Sequence, residues 1–199
     1  MIKKFFGHLT TVLKHKFWVG YYCFKCGLYW RGLMHDMSKF HPVEFWESVR
    51  YYTGTSSPIN KCKAEKGYSK AWLHHKGINK HHYEYWQDNF DKGGEALQMP
   101  FKYALEMVCD YLGAARAYWG KEFTYVKEWE WWQEKCKIAA MHPQTKDFVD
   151  RLITFWSDIE KIDTTIIRQC WNDSITYYVL DKELQNTAEG NEADIDNEI

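Results

Sequence analysis

The chain has 199 residues, 26 of them basic and 27 acidic, for a formal charge of −1; it suits one domain with a substantial core and carries no overall field of the kind that draws a protein to long nucleic acid or an anionic membrane. No apolar run approaches the ~20 residues of a membrane span, and the segment after Met1 is interrupted by Gly7, His8, Lys14 and His15, which predicts a soluble, cytoplasmic protein. Of the six cysteines, four stand singly in helix-like segments, and Cys23 and Cys26 form a C-x-x-C without the second pair that a zinc ribbon needs, so buried free thiols are expected.

Residues 2–26 place apolar side chains at Phe5, Leu9, Val12, Leu13, Phe17, Val19, Tyr22 and Phe24 with no Pro, the spacing of a helix that also carries His15. In residues 27–42 an apolar run (Leu28, Trp30, Leu33, Met34) delivers His35 and Asp36 side by side, with Ser38, Lys39 and His41 following within about two turns if the segment is helical. Imidazole nitrogen and carboxylate oxygen suit Zn, Mn, Fe or, through the carboxylate, Mg, and an ammonium three residues on can meet an anionic ligand. Alone, such a pair more often is solvated or caps a helix; a second donor set further along strengthens the metal reading. Pro42 breaks the segment, residues 43–52 resume helical spacing, and residues 53–67 read as a loop, either a lid or a tolerated surface insertion.

Histidine is the residue in excess: nine in all, four of them (His74, His75, His81, His82) within one short stretch. If residues 71–86 are helical through Gly77, Trp72, His75, Asn79, His82 and Trp86 share one face. One member of each His-His pair then points to a site: His75 and His82 are favoured, with His81 as a contact to a second metal or a phosphate and Asn79 as a substrate contact. Residues 99–119 form the clearest core helix, with Pro100 in its first turn and Asp110 set among apolar residues. A carboxylate there needs a metal, a basic partner or a solvated face. Residues 121–140, 144–159 and 164–184 read as three amphipathic helices completing the core, Trp129, Trp131 and Trp132 included, rather than as a base-stacking surface. From Asn186 the chain is acidic and patternless and is expected to be disordered.

The order His15, His35-Asp36 with Lys39, His81-His82-Tyr83-Glu84, then Asp110 resembles the HD-domain metal-dependent phosphohydrolases. More narrowly, the strings L-x-H-D-x-S-K-F, H-H-x-x-x-N-x-H-H-x-E and E-M-x-C-D are similar to a family of uncharacterised bacterial and phage proteins, taken as a divergent HD branch. The resemblance covers roughly residues 10–120. It implies an all-α, single-domain helical bundle over 1–184, with the metal-site core at about 10–120, extra C-terminal helices at 121–184 and a tail at 185–199. It also implies one or two divalent ions (Mn, Zn, Mg, Ni, Co or Fe), with His15, His35, Asp36 and Asp110 as the central ligands and His75, His82 and His81 around a second. The Gly-Tyr-Pro element of members specific for cyclic-di-GMP is missing after His82, which argues against that substrate.

The chemistry expected of such a set is attack of a metal-activated water on a phosphoric ester, with Asp36 helping to take the water's proton and Lys39, with Lys76 or Lys80, neutralising phosphate oxygens. The expected partner is a small phosphorylated substrate of the nucleotide class, and a homodimer is left open. Two other readings use the same residues: a non-catalytic protein that binds a nucleotide or other phosphoryl ligand, and a di-iron oxygenase.

Overall fold

The computed structural model describes residues 1–195. Its most extensive helix pairing joins α1 (Ile2–Lys25) to α6 (Phe101–Trp119). Gly113 sets how closely they approach: a Cβ added there would stand 2.4 Å from Val19 Cγ2 and 2.7 Å from the Val19 nitrogen, so any larger residue must displace α1. Val19 lies one turn beyond His15, and Gly113 one turn beyond Asp110. The crossing therefore brings those two side chains level with each other. α6 is buried at every position from Ala104 to Asp110, the mark of a helix surrounded by protein.

Between these two helices the chain runs through α2 (Tyr29–Met34), a 3-10 turn at Met37–Phe40, α3 (Pro42–Tyr51), α4 (Pro58–Lys66) and α5 (Lys70–Ile78). α3 packs on α4, α5 and α1, closing the donor-bearing half of the molecule. Its start follows from sequence, since Pro42 occupies the first turn and the His41 ring accepts the Val43 N–H. The other half is α7 (Tyr125–Ile138), α8 (Pro143–Asp158) and α9 (Ile167–Ile195) around Trp132, Phe148, Leu152 and Trp156, all fully buried. Each such side chain contributes about 1.5–3 kcal/mol relative to exposure. The indoles stay satisfied: Trp132 Nε1 donates to Asp150 at 2.9 Å and Trp156 Nε1 to the Asp163 carbonyl at 2.9 Å.

The protein is thus all-α apart from a two-stranded ribbon, β1 (Gln87–Asp88) with β2 (Glu95–Ala96). Among the described residues no helix is long and apolar enough to cross a membrane, and all six cysteines are free thiols.

Three expectations are corrected. The loop expected over 53–67 contains α4, started by Pro58 in its first turn and stopped by Gly67 in the left-handed region at φ +78°. The helix expected over 71–86 ends at Ile78, where Asn79 caps it, so the one-face pattern from Trp72 to Trp86 does not form. Trp131 is 40% exposed, unlike its neighbour Trp132 in the core. Of the tail expected to be disordered from Asn186, α9 takes in residues up to Ile195. Residues 196–199 of that segment lie outside the described residues.

Candidate metal centre

Asp36 sits at the break between α2 and the 3-10 turn. Its backbone is left-handed, at φ +51°, a conformation that Asp tolerates better than most residues. The Lys16 ammonium donates to the His35 carbonyl beside it. This turn drives the Asp36 carboxylate inward, where it is 1% exposed. Its two oxygens face different partners. Oδ2 lies 3.1 Å from His15 Nε2, 3.3 Å from His35 Nε2 and 2.6 Å from Lys39 Nζ. Oδ1 lies 3.3 Å from His75 Nε2 and 3.2 Å from His81 Nε2. Asp110 completes the first set, with Oδ1 3.3 Å from His15 Nε2 and 3.5 Å from His35 Nε2.

Two groups of four thus share Asp36: His15, His35, Asp36 and Asp110, and Asp36, His75, His81 and His82, the donor atoms of each lying within 4.8 Å of one another. All seven metal-ligand candidates from the sequence are brought together. His75 is the inward member of its pair, as expected. In the second pair both members arrive, because the chain reverses after Asn79 and a turn, not a helix, carries them; His81 is the closer to Asp36.

The carboxylates behind the rings were not foreseen as functional. Glu106 Oε1 stands 3.1 Å from His35 Nδ1 and 3.6 Å from His81 Nδ1, and its other oxygen takes a hydrogen bond from Arg31 Nε. Glu44 Oε2 stands 2.8 Å from His75 Nδ1, while its Oε1 holds His74 at 2.6 Å. A carboxylate on Nδ1 fixes the ring and leaves Nε2 to ligate. The sequence carried one signal, since Glu106 precedes Asp110 by one helical turn in the string E-M-V-C-D.

Burial opposes a charge on His35, but Asp36, Asp110 and Glu106 overcome it and raise this ring well above the ordinary imidazole range. Burial opposes the Asp36 charge, but His35, Lys39 and His75 overcome it and hold the carboxyl well below the ordinary range. Asp110 is held low against burial by His35 and His15. Burial, then the charge of Lys39, lowers His15 to about 4, and burial with His81 and His75 lowers His82; neutral imidazoles of this kind have a lone pair to give. His35 Nε2, Asp36 Oδ1, His81 Nε2 and His82 Nε2 are buried without any hydrogen-bond partner. Orphaned polar atoms are costly and rare inside proteins, and these four, divided between the two donor sets, fit a metal-binding cluster. These buried His and carboxylate clusters could hold a metal ion.

Lys39 lines a cavity of about 230 Å³ on one side of the cluster, together with His15, His75, His82, Asp110 and His8, whose Nδ1 is also unpartnered. His8 was not picked out from sequence. Lys80 and Asn79 line another, smaller recess of about 190 Å³ with Arg31, His35, Asp36 and His81. One expected substrate contact, Lys76, is corrected. Lys76 borders neither cavity and makes no ion pair with the cluster; it lies toward Lys63. The Asn79 amide is engaged within the protein, donating to Ser38 Oγ and to the His75 carbonyl, each at 2.8 Å, so it fixes the end of α5 against the 3-10 turn.

An all-α protein with a buried, carboxylate-braced histidine cluster is the class that fold and site define. The chain belongs to a family described as "Family of unknown function (DUF5662)", whose model matches residues 4–154, a span that holds every donor from His15 to Asp110. No curated protein and no solved structure matches it.

Proposed function

We propose that the protein is a metal-dependent hydrolase of phosphoric esters, acting on a nucleotide or a nucleotide-derived signal. The observation that carries this reading is Asp36, whose oxygens face two imidazole sets at once (3.1–3.3 Å), the arrangement of a carboxylate shared between two ion sites. His15, His35, Asp36 and Asp110 would hold one divalent ion, and Asp36, His75, His81 and His82 a second. Ions such as Mn, Zn, Mg, Ni, Co or Fe supply Lewis acidity there, which offsets charge on a phosphoryl group and acidifies water. Glu44 and Glu106 keep the rings aimed. Lys39 places an ammonium in the cavity beside the donors, where it neutralises a phosphate oxygen and orients the ester. The donor order, which resembles that of HD-domain phosphohydrolases, supports the same reading.

The test is metal analysis of untagged protein followed by a panel of nucleoside monophosphates, cyclic nucleotides and a chromogenic phosphate ester. Metal-dependent release of phosphate or ring opening, abolished in Asp36→Ala with helicity retained, is the expected result. Metal-loaded protein that binds these compounds and releases them unchanged would make it a binding protein instead. Iron content with oxygen consumption would move it to the di-iron oxygenases.

A further inference from the structure

Beside the donor cluster lies a second, larger chamber of about 420 Å³, between α6, α7 and the start of α4. It shares Ser57, Trp72, His82, Ala114 and Tyr118 with the cavity that holds Lys39, so the two spaces adjoin. Its character is different. Trp72, Tyr111, Tyr118 and Trp131 supply flat aromatic walls, and Tyr111 and Trp131 meet edge to face at 5.1 Å.

Among those walls stands Glu128, which is 2% exposed and has no hydrogen bond or ion pair with any described residue. Its oxygens are not fully enclosed and open onto the chamber, where a ligand can meet them. Burial, and after it the negative charge of Asp110, push this carboxyl up to about 8. At neutral pH it therefore presents an O–H donor next to a C=O acceptor. An edge with one acceptor beside one donor, as on a heterocyclic amide or amidine, matches that pair.

We propose that this chamber is the subsite for the ring end of the substrate, a planar nitrogen heterocycle held among the aromatic walls and read at its edge by Glu128. The walls favour a flat π-system over a sugar or an alkyl chain. The shared wall at Trp72, His82 and Tyr118 lets the remainder of the same molecule reach Lys39 and Asp36. Only that last step rests on the hydrolase reading; ring binding does not.

Calorimetric titration of the full chain with adenosine, guanosine, cytidine, uridine and, separately, ribose 5-phosphate tests it. At least one nucleoside binds the wild type. Glu128→Leu and Trp131→Ala each weaken that binding by about tenfold or more, a loss of the size expected for one buried hydrogen bond or one stacking face. Glu128→Gln, which keeps a donor beside an acceptor, restores most of it. The proposal is overturned if no nucleoside binds the wild type, or if Glu128→Leu and Trp131→Ala, both folded by circular dichroism, bind nucleosides as the wild type does. Hydrolysis of ribose 5-phosphate as fast as of any nucleotide would keep the hydrolase and remove the ring subsite; nucleoside binding without any ester hydrolysis would do the reverse.

Discussion

Glu106 Oε1 stands 3.1 Å from His35 Nδ1, and this contact turns the opposite nitrogen of the ring toward Asp36 and Asp110. Such outer carboxylates are worth about 10–100-fold in metal affinity. Glu106→Gln should therefore weaken Zn²⁺ or Mn²⁺ binding by about that factor while every direct donor stays in place. Competition with a chromophoric chelator measures it. An affinity equal to the wild type would mean that Glu106 only neutralises Arg31.

His74 and His75 are adjacent in sequence and share Glu44, yet only His75 reaches Asp36. His75→Ala should lower the metal-to-protein ratio of untagged protein, and His74→Ala should leave it at the wild-type value. Elemental analysis of the two variants separates them in one measurement.

The contact of Gly113 on Val19 places His15 beside Asp110. Gly113→Ala puts a methyl group where α1 already stands, and overpacking of this kind costs about 1–3 kcal/mol, or roughly 2–4 °C of Tm per kcal/mol for a chain of this size. It should also weaken metal binding, because the helix that must move carries His15. Thermal melts with and without added metal check both parts. The metal-induced rise in Tm, about 2.7 kcal/mol in stability at a free concentration near 100 Kd, should shrink in the variant and vanish in Asp36→Ala.

Glu128 makes stability depend on pH. Its carboxyl titrates at 4.5 when exposed and at about 8 in the fold, where burial and then Asp110 disfavour the charge. Between those values the unfolded chain has lost a proton that the folded chain keeps, so this contribution is full below pH 4.5 and is lost as the pH rises toward 8. Glu128→Gln cannot ionise. Relative to wild type it should gain stability steadily from pH 5 to pH 8, which urea denaturation at the two ends measures.

The centre was legible where residue type alone carried the chemistry. His15, the His35-Asp36 pair, the paired histidines and Asp110 stand out because such side chains are uncommon in apolar helices, and the all-α architecture follows from helical periodicity through α1, α6 and α8. What was hidden is tertiary or depends on a local turn. Glu44 and Glu106 look like ordinary helix carboxylates until their histidines are in view. The arrival of both His81 and His82 depends on Asn79 ending α5 and reversing the chain. Glu128 and Trp131 lie on α7, the helix that follows α6, and only its tertiary packing turns them toward one chamber, so nothing local distinguishes them from core or surface residues.

The pairing of α1 with α6 also sets the order in which the centre can be completed. His15 leaves the ribosome early and Asp110 much later, with all the other donors between them. The set of His15, His35, Asp36 and Asp110 stays incomplete until α6 emerges, whereas Asp36, His75, His81 and His82 all precede it. An ion in the first set could be held only once the crossing at Gly113 has closed, and it would then lock together the two ends of the segment that carries the donors.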